Sequence, residues 1–134
     1  MKTIYYQNTK QEIKKGIDLL ADIVKQTLGA KGRNVVLGHQ FGGISIVNDG
    51  ATIAKEIGFQ NDIWNLGALL ARQVAEKTND DSGDGTTTSI LFLQAYIREM
   101  MKIRSRDVRK LRGEIKYEVN RVIGELDNMK KEIY

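Results

Sequence analysis

The stretch Asp80-Asp81-Ser82-Gly83-Asp84-Gly85-Thr86-Thr87-Thr88 constrains this chain more than any other. It separates two apolar helical patterns and forces the backbone to turn between them. Its glycines permit a sharp turn and a close approach to a ligand. Its threonines stand where the second helix begins, so hydroxyls and free N–H groups converge with the positive end of a helix dipole. That combination suits an anion, with phosphate the natural choice. An acidic group beside a phosphate calls for a bridging cation, and Asp84 offers an oxygen ligand for Mg²⁺. The loop therefore reads as a metal–phosphate site.

The elements around this loop follow from periodicity. Ile13, Ile17, Leu20, Val24 and Leu28 recur at helical spacing and predict an amphipathic helix over residues 9–28. Thr9 and Glu12 have the spacing of a capping box, and Gly29 is a natural stop. Asn34–Gly38 and Ile44–Asn48 are short β-rich runs that predict a hairpin around residues 39–43. An isolated hairpin is marginal, so its edges should pair elsewhere. Asp49-Gly50 leads into a short helix at about 51–57. A longer helix over 62–79 should bury Ile63, Leu66, Leu70 and Val74. The helix after the threonines, about 86–103, carries Ile90-Leu91-Phe92-Leu93, apolar on every side and expected to be the most buried segment. The last helix, 105–133 with Ser105 as N-cap, has a seam of Val108, Leu111, Ile115, Val119, Val122, Leu126, Met129 and Ile133. That seam reads as a core face or as a stripe for a partner helix. The expected organisation is one domain over 1–134, with a motif-bearing part at 1–104 and a long amphipathic helix at 105–134.

Composition narrows the function classes. A hydrophobic content of 41% and a charged content of 28% are ordinary for a globular chain. No apolar run approaches the roughly 20 residues of a membrane span, and Met1–Tyr6 lacks a signal-peptide core. Cysteine is absent, which fits a reducing, cytoplasmic setting and removes thiolate metal sites. The charges of residues 1–101 cancel, so residues 102–134 carry the whole net +4. The basic run Lys102–Arg112 has no interleaved aromatics to stack on bases, so a solvated or partner-facing helix is favoured over a nucleic-acid surface.

Several familiar sites fail on spacing. Asp80, Ser82, Asp84 and Gly85 match the opening of an EF-hand loop, but Leu91 stands where its bidentate Glu belongs. No segment supplies a Walker A loop. His39 is the single histidine, with no cysteine to join it, which removes zinc and Ser–His readings. Three polar turns remain: Thr27–Asn34, Asn48-Asp49-Gly50 and the acidic–threonine loop. Each alone reads as a cap or turn; together they could converge on one nucleotide.

At these residues the chain resembles a known family. Thr27-Leu28-Gly29-Ala30-Lys31-Gly32-Arg33-Asn34-Val35-Val36-Leu37 is similar to the T-L-G-P-K-G-R-N-V-V-L segment of the group I chaperonins, the bacterial GroEL type. Asn48-Asp49-Gly50 resembles their K-D-G turn, and Gly83-Asp84-Gly85-Thr86-Thr87-Thr88 repeats their G-D-G-T-T-T signature. The resemblance runs from about residue 8 to residue 101 with fitting spacing.

It implies a mainly α fold, a chaperonin equatorial-domain-like helical bundle with one β-hairpin, of which this chain would be the N-terminal half. It implies ATP and Mg²⁺ as ligands, with K⁺ a further candidate. Thr27, Leu28, Gly29, Ala30 and Asn48 would line the nucleotide, Gly85, Thr86, Thr87 and Thr88 would cradle phosphates, and Asp84 would hold Mg²⁺. Asp49 would orient the attacking water near the γ-phosphate. The hairpin would add strands to a neighbouring subunit. Departures temper this picture. Ala30 replaces the family proline, Asn48 replaces a lysine near the phosphates, and the family's intermediate and apical segments do not follow. The expectation is a truncated or degenerate chaperonin-like ATP-binding subunit with weak or no hydrolysis, partnering itself or other chaperonin subunits. Unfolded proteins are not expected as substrates, since the chain holds no apical domain. The rival expectation is a non-enzymatic interaction module docking through its hairpin or last helix.

Overall fold

The computed structural model describes residues 8–39, 42–103 and 107–130. The chain divides into two compact units, Met1–Met101 and Lys102–Tyr134. The first unit runs α1 (Thr9–Val24), a 3₁₀ turn (Lys25–Thr27), β1 (Val35–Gly38), β2 (Ile44–Val47), α2 (Gly50–Glu56), α3 (Asp62–Ser82) and α4 (Thr86–Met100). The second unit holds α5 (Val108–Met129).

In α1 the expected stripe is real: Ile17, Leu20 and Val24 are buried, while Leu28, past the helix end, is 49% exposed. The capping box does not form. The helix starts at Thr9, as expected, but its N-cap is Asn8, which makes no side-chain cap bond. Glu12 instead accepts a hydrogen bond from Trp64 Nε1 at 2.6 Å. Lys15 Nζ also lies 4.2 Å from the Trp64 ring centroid, so a partner from α3 claims the α1 side chains near its start.

α1 and α3 make the closest helix pair, and the reason is a crossing of two glycines. A methyl group on Gly16 would fall 2.1 Å from the Trp64 carbonyl oxygen, and one on Gly67 would fall 2.1 Å from that of Ile13. Only bare backbone fits there. This crossing corrects the expected core face of α3. Ile63, Gly67, Ala68, Ala71 and Ala75 are the buried positions, whereas Leu66 (43%), Leu70 (41%) and Val74 (36%) are exposed. Both faces have helical period; close approach selects the one with small side chains. Leu70 and Val74 join Ile17, Leu93 and Ile97 along an apolar groove.

The core gathers Leu20, Ala21, Val24, Ile53, Ala54, Ala68, Ala71, Ala75 and Ile90. In α4 only Ile90 and Gln94 are buried. Phe92 is 71% exposed, against the expectation that the whole Ile90–Leu93 run lies inside. A helix packed on one side buries one stripe, however apolar its other faces. Gln94 is satisfied in the interior, its Nε2 donating to Asp22 Oδ1 at 3.1 Å.

β1 and β2 form the expected antiparallel hairpin, in the register Val35↔Val47, Val36↔Ile46, Leu37↔Ser45 and Gly38↔Ile44. Val35, Leu37 and Val47 lean on the core. Val36, Ile44 and Ile46, on the other face, are exposed.

Asp107, not Ser105, caps α5; its side chain accepts from the N–H groups of Arg109 and Lys110. Ser105 and Ile133 lie outside the described residues. Arg121 bridges Glu118 at 2.9 Å and Glu125 at 2.6 Å, pairs that add little each to an exposed helix. Among the described residues no helix is long and apolar enough to cross a membrane.

Candidate functional site

The acidic–threonine stretch is shorter as a loop than its composition suggests. α3 continues through Ser82, so Asp80, Asp81 and Ser82 belong to its last turn. Gly83 ends the helix with φ +73, and its N–H donates to the Asn79 carbonyl at 2.7 Å. Gly85, with φ +89, opens α4. These two left-handed positions are what glycine allows and other residues resist. A helical Asp80 and Ser82 also leave no room for an EF-hand loop.

α4 therefore starts abruptly at Thr86, and no side chain caps it. The N–H groups of its first turn have no intrahelical partner. Asp84 folds back on the same turn, its Oδ1 accepting from the Gly85 N–H at 2.6 Å.

Opposite α4 lies the start of α2. Asp49 is its N-cap: Oδ1 accepts from the Ala51 N–H at 3.1 Å and Oδ2 from the Thr52 N–H at 3.0 Å. The Thr52 hydroxyl adds a third bond to Oδ2 at 2.7 Å. Gly50 brings the two helix starts together; a methyl group there would sit 2.0 Å from Thr87 Oγ1. The end of α1 closes the third side. Thr27 Oγ1 donates to the Val24 carbonyl at 2.8 Å, which leaves its oxygen free only to accept.

The result is an open cleft of about 210 Å³ lined by Thr27, Leu28, Gly29, Asn48, Asp49, Gly50, Asp84, Gly85, Thr86, Thr87 and Thr88. Three segments far apart in sequence meet in it. Of the residues the sequence singled out, Ala30 alone is not in the lining. Thr52 is the residue that sequence reasoning passed over. A threonine three residues beyond a helix-capping aspartate is the signal that could have found it.

The electrostatics are unusual for an anion site. The lining holds two carboxylates, Asp49 and Asp84, and no lysine or arginine. The Thr52 hydroxyl above all, then the N–H groups of Thr52 and Ala51 and the charge of Lys55, hold the Asp49 carboxyl below its ordinary value of 3.8; partial burial opposes them. A carboxylate held ionised in this way accepts hydrogen bonds, so it can orient a water. It also ties stability to pH. A folded-state value below the unfolded one means a contribution fully present above 3.8 and lost as pH falls through the depressed folded value. Acid unfolding followed by Trp64 fluorescence should show Asp49→Asn losing less stability than wild type in that acidic window.

The model of the TCP-1/cpn60 chaperonin family matches residues 20–134. The chain belongs to the TCP-1/cpn60 chaperonin family. Two crystal forms of the chaperonin gp146 from the bacteriophage EL 2 (Pseudomonas aeruginosa), both in the presence of ATP-BeFx, share its fold. The TM-scores are 0.83 and 0.82 at 25% identity, and each match covers 97% of this chain. The chain spans 23% of the length of those relatives. Its helical bundle with one hairpin is thus the equatorial-domain architecture of a chaperonin.

Proposed function

We propose that the cleft binds ATP as its Mg²⁺ complex, the inherited ligand of a chaperonin equatorial domain. The observation that carries this reading is the meeting of Thr27–Gly29, Asn48–Gly50 and Asp84–Thr88 around the uncapped start of α4. Uncapped N–H groups at a helix start suit phosphate oxygens. The gp146 structures, obtained in the presence of ATP-BeFx, support the choice of nucleotide.

The donor set suits Mg²⁺. Among the described residues no group of three or more His, Cys, Asp or Glu converges on one point. Mg²⁺ does not require one, because it commonly takes one or two carboxylates together with substrate phosphates and water. Asp84 would hold the ion, which when bound neutralises phosphate charge and offers a Lewis acid. The Thr86, Thr87 and Thr88 N–H and hydroxyl groups would cradle the phosphates, with Leu28 and Gly29 alongside. Asp49 would orient a water near the terminal phosphate. The absence of a cationic side chain in the lining favours binding with slow or no hydrolysis.

Calorimetry with ATP and Mg²⁺ tests the reading. Saturable binding is expected, and no heat at millimolar nucleotide would refute it. Gly50→Ala should weaken binding by roughly tenfold, about 1.4 kcal/mol, because the added methyl pushes Thr87 and parts the two helix starts. The same titration reads this, with circular dichroism as the control for folding.

A second reading concerns partners. The hairpin exposes Val36, Ile44 and Ile46 on one face, and among the described residues it is a sheet of two strands only. Such a ribbon suits strand addition to another chaperonin subunit or a second copy of this chain. Sedimentation of wild type against Ile44→Lys/Ile46→Lys, alone and mixed with a chaperonin ring, checks it.

A further inference from the structure

The bonding around Asp49 separates its two carboxylate oxygens. A carboxylate offers about four acceptor positions, two on each oxygen. The Ala51 N–H occupies one on Oδ1, while the Thr52 N–H and the Thr52 hydroxyl occupy both on Oδ2. A half-turn of the carboxylate only exchanges two identical oxygens, so they differ by how many of their acceptor positions are filled. With the N–H bonds alone each oxygen would keep one position open; the hydroxyl bond, the shortest of the three at 2.7 Å, fills the second position on the oxygen that faces Thr52. Thr52 itself is not in the cleft lining, so it has no direct claim on a ligand there.

We propose that Thr52 is a positioning residue of the cleft, its hydroxyl saturating Asp49 Oδ2 so that Oδ1 is the oxygen left to accept from a water or ligand donor. The identity of that ligand as Mg²⁺–ATP rests on the function proposed above; the pinning of Asp49 does not. The same bond is the foremost influence holding the Asp49 carboxyl below its ordinary value. The charged groups around Asp49 are Lys55, in the last turn of α2, and Asp84, which faces the same cleft from between α3 and α4. Lys55 acts on Asp49 through its charge and fills no acceptor position. The hydroxyl is the contact that closes Oδ2 and leaves Oδ1 with the open position.

Carboxyl-carbon NMR of Asp49 in the full chain, titrated with acid without nucleotide, tests the pinning. Thr52→Val and Thr52→Ala lose the hydroxyl but keep the backbone N–H. Both should bind a proton at Asp49 several-fold more tightly than wild type, and Thr52→Ser should match wild type. The alanine variant keeps the comparison available if valine disturbs α2, since alanine is the strongest helix former. Coincident titrations of wild type and Thr52→Ala, or a serine variant that follows alanine, would overturn the proposal. A second arm titrates the same proteins with Mg²⁺–ATP and Mg²⁺–ADP. The preference for ATP should fall several-fold in the hydroxyl-free variants and return in Thr52→Ser; an unchanged preference would overturn the positioning role. If wild type binds neither nucleotide, the proposed function fails, and the carboxyl titration alone decides Thr52.

Discussion

Asp84→Ala is expected to abolish Mg²⁺-dependent ATP binding, with an affinity loss of about a hundredfold or more, equivalent to roughly 2.7 kcal/mol. The reason is the charge inventory of the cleft. Its lining contains two carboxylates and no basic side chain, so a bare triphosphate would meet repulsion. Helix N-terminal N–H groups supply only a partial positive charge, worth around 0.3–1 kcal/mol at an exposed site. In the function proposed above a divalent cation would therefore supply most of the neutralisation, and Asp84, on the α3–α4 turn, would hold it. Two controls sharpen the test. Chelating Mg²⁺ from wild type should reproduce the variant, because both remove the same ion. Asp84→Asn should bind nearly as poorly as alanine, since its amide can still accept a bond from Gly85 but carries no charge. Calorimetry reads all three. Retention of tight ATP binding by Asp84→Ala would remove this residue from the site. Tight binding by wild type in chelator would overturn the electrostatic argument itself.

Gly67→Ala should destabilise the first unit by roughly 3 kcal/mol or more, and Gly16→Ala by a similar amount. The sign is informative. In an ordinary exposed helix interior, glycine to alanine stabilises by about 1 kcal/mol. Here each added methyl would lie 2.1 Å from a backbone carbonyl oxygen of the facing helix. Backbone cannot swing aside as a side chain can, so α1 and α3 must separate. That separation loosens the core around Leu20, Ala68 and Ala71, which is closely packed and tolerates little expansion. Chemical denaturation followed by Trp64 fluorescence is a direct readout. Trp64 is the single tryptophan of the chain, and it bonds Glu12 across this same crossing. A stability gain in either variant would show that the helices do not approach as described.

Much of the architecture was legible in the residue pattern. The periodicity of Ile17, Leu20 and Val24 located α1 and its buried stripe. The alternating runs around 34–38 and 44–48 located the hairpin, and the glycine-rich turn before Thr86 located the start of α4. These are local signals, set by helix and strand periods and by the conformations that glycine permits. The chaperonin-like segments were equally legible, because each is a short run whose residue types answer to its own turn.

Local pattern, then, sets the order of the elements and the chemistry of three separate turns. Packing between helices settles which side of α3 faces inward. Leu66, Leu70 and Val74 have the right period and the larger apolar area, yet the glycine crossing selects Gly67, Ala68, Ala71 and Ala75. Period states that a face exists; steric fit with a neighbour states which face is used. Tertiary structure likewise turned Glu12 from a cap into a partner for Trp64. It also left Phe92 outside a helix that is apolar all round. The cleft belongs to the same class of facts. Thr27, Asp49 and Asp84 meet because α1, α2 and α4 pack on α3 and one another, and because Gly50 lets two helix starts touch. No local pattern encodes that distance, since it is set by the volumes of side chains that lie elsewhere in the chain.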